Sequence, residues 1–143
     1  MPDSAIHFHF EDVQLNSFME VSAKAWIARS IEAEKRQVGE LNYIFCSDQY
    51  LLQINQEYLN HDTFTDIVTF NYVENNVISG DLFISIDRVK ENSVEVKSTY
   101  SQELNRILIH GVLHLIGYND ISTKEAQEIR AKEDFYLTLF PDL

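Results

Sequence analysis

The sequence is short of the residues that break a chain or staple it. Cys46 is the one cysteine, so no internal disulfide can form, which suits a reducing compartment. With only 2 Pro and 4 Gly, long disordered or low-complexity stretches are not expected. No apolar run approaches the roughly 18 residues that read as a membrane span. Met1 to Phe10 lacks the basic run and apolar stretch of a signal peptide. The expectation is a cytoplasmic protein with no membrane partner. Positive charge is scarce as well. There are 11 Lys and Arg against 23 Asp and Glu, a net charge of −12, and none of the 11 lies between Gln37 and Asp87. Taken alone, this argues against a nucleic-acid partner, because neutralising phosphate needs Lys and Arg. An RNA-binding surface would have to draw on Arg88, Lys90, Lys97 and Arg106, or on a metal ion.

What is present suffices for a core. The chain is 143 residues long and 45% hydrophobic, which fits one domain spanning 1–143. Ile6, Phe8 and Phe10 alternate with His7 and His9 as in a half-buried strand. Phe18, Val21, Ala25 and Ala28 recur at spacings of three and four, predicting an amphipathic helix from about Ser17 to Arg36 with Gly39 at its exit. Leu41 to Cys46 reads as a strand, and Ser47 as the N-cap of a helix running to about Tyr58. Leu59 to Thr65 is polar and loop-like. Val68, Phe70 and Tyr72, then Ile78, Leu82, Ile84 and Ile86, alternate as two strands joined at Glu74, Asn75 and Asn76. Glu91 to Lys97 carries no clear pattern. Gln102 to Ile116 is apolar nearly all round and belongs in the interior, with Gly117 as its stop. Ser122 and Glu125 form a capping box opening a last helix that ends near Leu139. The expected fold is α+β, with a single mixed four-stranded sheet packed with about five helices and a metal site on the buried helix.

That site is read from His110, His114 and Asp120. Residues four apart on a helix share a face, so His110 and His114 can aim two imidazoles at one point. Gly117 lets the chain reverse, and Asp120 can swing back as a third ligand. Two His and a carboxylate, with a fourth position open to a water of lowered pKa, make a recognised catalytic zinc arrangement. The spacing alone leaves a second reading open, a pair of hydrogen-bonded core histidines. Zinc proteases with the same spacing carry Glu, their general base, directly after the first His. Here that residue is Gly111, which argues against peptidase chemistry. Gly111 costs a helix about 1 kcal/mol relative to Ala, so it is expected to admit a close neighbour or a substrate.

The run His110-Gly111-Val112-Leu113-His114-Leu115-Ile116-Gly117-Tyr118-Asn119-Asp120 resembles the YbeY family of metal-dependent endoribonucleases. These are also called ribosomal RNA maturation factors, and their signature reads His-Gly-x-Leu-His-Leu-x-Gly-Tyr-Asp-His. Asn55-Gln56-Glu57-Tyr58, Thr65-Asp66-Ile67-Val68-Thr69-Phe70 and Gly80-Asp81-Leu82 match further family blocks. The blocks together span roughly residues 50 to 120. The resemblance implies a small α+β metalloprotein binding one zinc ion per chain. It implies a single-strand-specific endoribonuclease acting in maturation of the 3′ end of 16S ribosomal RNA and in ribosome quality control. The implied partners are single-stranded RNA, ribosomal RNA and the small ribosomal subunit, with no DNA expected. Two positions depart from the family: Asp120 stands where the third ligand is His, and Leu59 where an Arg held to matter for activity follows the Tyr. His61 is a candidate to replace that Arg in part, and its plainer reading is an exposed loop residue. Other readings are a metal-dependent hydrolase of a peptide or amide, and a non-catalytic ribosome-assembly factor with a structural metal.

Several residues are read more simply. His7 and His9 share a strand face and could bind metal, but a solvent-facing pair is the better account. Cys46 is expected to be a buried apolar residue. Asp66 and Asp81, at strand starts near the expected cleft, could orient a water or bind a second metal, with structural hydrogen bonds the favoured role for each. Glu125, Glu128, Glu133 and Asp134 read as the solvated face of the last helix.

Overall fold

The computed structural model describes residues 5–15, 18–59 and 65–140. Along them run β1 (Ile6–Phe10), α1 (Glu20–Ala33), β2 (Gln37–Cys46), α2 (Asp48–Leu59), β3 (Ile67–Asn71), β4 (Val77–Ser85), α3 (Ile86–Glu95), α4 (Tyr100–Ile116) and α5 (Thr123–Thr138). The strands form one sheet in the order β1-β2-β4-β3. β1, β2 and β4 are parallel, and β3 runs antiparallel to β4. This is the expected α+β fold, with one mixed four-stranded sheet and five helices.

Alternation divides the sheet into two faces. Leu41, Tyr43, Phe45, Ile78, Leu82 and Ile84 point to one face and are fully buried. α1 and α4 pack on that face, and α3 and α5 flank α4. Cys46 and Val68 point the other way and meet Leu51 and Ile54 of α2. Cys46 is buried as expected, and burial pushes its thiol up to about 12. His7 and His9 lie beyond α2 on this second face. His7 Nε2 stands 3.3 Å from Glu40 and His9 Nε2 stands 2.9 Å from Asn42, so the pair is an exposed polar strip of the sheet.

α4 is the centre of the molecule. Leu108, Ile109, Val112 and Leu113 have no exposed surface, and each such side chain contributes about 1.5–3 kcal/mol by leaving water. The Tyr43 hydroxyl donates to the Leu108 carbonyl at 2.9 Å and ties the helix to β2. Its ends follow the local sequence. Thr99 caps the first turn through the Gln102 amide. Gly117 closes the last turn with φ +127°, which side-chain-bearing residues rarely adopt, and donates to the His114 and Leu113 carbonyls. Ser47 accepts from the Tyr50 amide and Ser122 forms its capping box with Glu125, both as expected.

Other boundaries differ from the sequence pattern. α1 ends at Ala33 because Lys35 turns left-handed at φ +62°, and the amides of Lys35 and Arg36 bond back to Glu32 and Ile31. Gly39 is therefore not the helix exit. It sits inside β2 at a register irregularity against β4, where an added Cβ would lie 2.1 Å from Ser79 Oγ. Ile86 is not a strand residue. The Ser85 hydroxyl accepts from the Arg88 amide and starts α3, which takes up Glu91 to Glu95 as helix.

Glu34 joins three elements at the end of α1. Its carboxylate accepts from the Tyr118 hydroxyl at 2.7 Å, from Lys132 at 3.1 Å and from the Tyr136 hydroxyl. Burial opposes ionisation, but the bonds from Tyr136, Tyr118 and Lys132 outweigh it and hold the carboxyl below its ordinary 4.5. A depressed carboxyl stabilises the fold above its unfolded pKa, and that contribution is lost as pH falls through the folded value. Glu34→Gln should therefore lower the melting temperature at neutral pH. The gap from the parent should close on acidification below about pH 4.5. Melting curves across that range test this, and a gap independent of pH would contradict it.

Candidate metal centre

His110 and His114 project from the face of α4 that turns away from the sheet. Their rings meet edge to face with centroids 4.5 Å apart. The two Nε2 atoms face each other at 3.0 Å. After Gly117 the chain reverses, with the Tyr118 amide bonded to the Leu113 carbonyl and the Tyr118 hydroxyl to Glu34. The reversal brings Asp120 Oδ2 to 3.5 Å from His114 Nε2 and 3.8 Å from His110 Nε2. Sequence reasoning named these three residues, and the fold brings them together. Among the described residues they are the only group of three or more His, Cys, Asp or Glu placed to share an ion.

The cluster opens on a cleft of about 350 Å³ between α3, α4 and α5, lined among others by Asp66, Asn92, Arg106, His110, Asp120 and Arg130. Asp66 thus stands at the cleft, as expected from its strand start. Asp81 does not. It alternates out of β4 away from α4 and accepts from the Asn42 amide at 3.2 Å on the opposite face. His61, the candidate from the loop, lies outside the described residues. Leu59 is the last residue of α2 and is partly exposed.

Glu133 is the residue that sequence reasoning missed. It is not on a solvated face but is 3% exposed. His110 Nδ1 donates to its Oε2 at 2.5 Å, and Arg106 Nη1 donates to its Oε1 at 2.9 Å. Arg106 also reaches Asp134 at 2.8 Å, so its charge is held by two carboxylates. Burial works against the charged form of both His110 and Glu133. The His110–Glu133 bond and the adjoining charges overcome it, raising the His110 pKa and lowering that of Glu133. The available signal was positional. Glu133 shares a helical face with Ala126, Ile129 and Tyr136, so it stands within an apolar stripe. Glu125, Glu128 and Asp134 are less buried than Glu133, and Glu125 serves the capping box.

Gly111 also becomes intelligible. A Cβ there would lie 2.4 Å from Leu82 Cδ2 and 2.9 Å from Ile67 Cδ1. The glycine therefore admits the sheet and not a substrate.

A model of the family described as Endoribonuclease YbeY matches residues 6–140. The chain belongs to this family. Its similarity to curated members runs nearly end to end. It is 49% identical over 140 residues to the Endoribonuclease YbeY of Cytophaga hutchinsonii, covering 97% of this chain and 98% of that one. With the Endoribonuclease YbeY of Flavobacterium psychrophilum it shares 47% identity over 136 residues, covering 94% and 96%. It also resembles the solution structure of TM1509 from Thermotoga maritima, with a TM-score of 0.68, 27% identity, and 91% and 86% of the two chains covered. The relatives' name describes hydrolases acting on RNA.

If Gly111 serves helix-to-sheet contact, Gly111→Ala should cost about 1–3 kcal/mol of stability through overpacking, beyond what better helix propensity returns. Urea unfolding measures this, and a stabilised variant would refute the packing role.

Proposed function

We propose that this chain is a zinc-dependent endoribonuclease in which His110, His114 and Asp120 hold one metal ion. The observation that carries the reading is the convergence of these three ligand atoms beside an open cleft, in a chain of the YbeY family. The donor set fits. Imidazole nitrogen and carboxylate oxygen are ordinary zinc ligands, and a tetrahedral ion at about 2.0–2.1 Å from each would space them by roughly 3.3 Å. The spacings are 3.0, 3.5 and 3.8 Å. A bound zinc ion would supply Lewis acidity at a phosphoryl oxygen and make water a stronger acid near neutral pH.

The protein's own residues set the conditions for that chemistry. The cleft lining carries five carboxylates and two guanidiniums, namely Asp66, Glu95, Glu103, Asp120 and Glu133 against Arg106 and Arg130. An empty cleft of this charge repels a phosphodiester, and a divalent cation at its mouth would offset most of that excess negative charge. Phosphate binding in this acidic chain is therefore assigned to the ion more than to lysine or arginine. The substrate we propose is single-stranded RNA, with DNA excluded. The setting we propose is the cytoplasm, in 3′-end maturation of 16S ribosomal RNA and ribosome quality control, with the small subunit as partner. The whole chain, 1–143, would act as one domain.

Two other readings have observations against them. A peptidase of the zinc-helix type needs Glu at the place of Gly111, where the sheet leaves no room for a side chain. A purely structural metal favours a closed four-ligand shell, whereas among the described residues this site offers three ligands, one of them the half-exposed Asp120.

His114→Ala should lose the zinc that the parent holds near one equivalent, and with it cleavage of single-stranded RNA. Asp120→Ala should show the same loss of metal. Elemental analysis and RNA cleavage with and without chelator measure both. Full cleavage by a metal-free variant would end the proposal.

A further inference from the structure

We infer that Glu133 is a positioning residue that fixes which nitrogen of His110 faces the metal. The inference rests on the metal site proposed above. Glu133 is a buried carboxylate, which is costly in a fold unless each oxygen has a donor. One oxygen is held by Arg106 at 2.9 Å, and the other stands 2.5 Å from His110 Nδ1. An ionised carboxylate only accepts, so the proton of a neutral His110 must sit on Nδ1. That leaves the Nε2 lone pair directed at His114 Nε2 and Asp120 Oδ2. A half-turn of the ring would set carbon against Glu133 and strand a buried oxygen, so the orientation is enforced from the protein side.

The three ligands are not equivalent in this respect. Among the described residues, His114 makes its contacts through Nε2 and has no carboxylate or carbonyl at Nδ1. Asp120 stands on the reversed chain and is half exposed. His110 is thus the fixed corner of the triangle, held by α5, and the other two ligands close on it. Arg106 completes the device. It bridges Glu133 and Asp134 and keeps the carboxylate in place from the side opposite His110. Outer partners that orient a metal-binding histidine in this way typically contribute about 10–100-fold in metal affinity.

The test is zinc titration by calorimetry on the parent, Glu133→Gln and Asp134→Asn, together with imidazole proton–nitrogen spectra of the zinc-loaded parent. Zinc should bind Glu133→Gln more weakly by about 10–100-fold. Asp134→Asn touches the same arginine but not His110 and should bind as the parent does. The spectra should show the His110 proton on Nδ1. They decide the matter even where Glu133→Gln fails to fold. Undiminished affinity in Glu133→Gln, or a His110 proton on Nε2, overturns the inference and leaves the metal site standing. A parent that takes up no zinc overturns both.

Discussion

The close approach of α4 to the sheet is the constraint on which the other features depend. At Gly111 there is no space for a β-carbon, so the helix backbone lies directly over Leu82 and Ile67. With the helix seated so low, its apolar residues are enclosed on the sheet side and by α1, α3 and α5 around it. One strip alone turns outward to a cleft, and His110 and His114 occupy it. A helix standing further off would shift both rings together and change their relation to Asp120, whose place is fixed separately through Tyr118 and Glu34. The geometry of the His-His-Asp cluster is therefore a consequence of packing at Gly111, the residue next to His110.

The chain is acidic and its family acts on RNA, and the cleft shows how these are compatible. Its most buried carboxylate is paired inside the protein. Glu133 is matched by Arg106 and His110, and Asp134 takes the second arm of Arg106. The long cation-free stretch from Gln37 to Asp87 builds mainly sheet and α2. The guanidiniums of the cleft come from later in the chain, on α4 and α5. The cleft thus shares the sign of the whole chain, and a bound cation, more than its two guanidiniums, would favour phosphate there.

Much of this was legible in the sequence where the signal is local. Alternation marked the strands, and the apolar run marked α4. Ser47, Ser122 and Gly117 marked ends through their own hydrogen bonds. Spacing brought His110 and His114 together, and the glycine stop made room for Asp120. What was not legible depends on contact between distant segments. Gly39 looked like a helix exit because the need for a small residue arises from Ser79 across the sheet. Ile86 extended an alternating pattern, but Ser85 ends the strand by capping α3. Asp81 stands on the wrong face for the cleft, a fact set by the direction of one pleat. Glu133 resembled its acidic neighbours apart from its place in an apolar stripe, and the docking of α5 puts it inside. In each case the local pattern was sound and a tertiary contact decided the outcome.

The Glu34 junction has a consequence for the order in which the molecule is completed. Its partners lie 84 and 102 positions further along the chain, at Tyr118 and Tyr136. Trp26, also on α1, binds the Tyr136 carbonyl at 2.7 Å. The segment bearing Asp120 and the helix bearing Glu133 are thus both moored to a helix that is synthesised first. A nascent chain that has emerged only through α4 displays two histidines but has neither the reversed segment anchored nor the carboxylate behind His110. The pocket is complete only with α5 in place, so a copy truncated after α4 carries no finished centre.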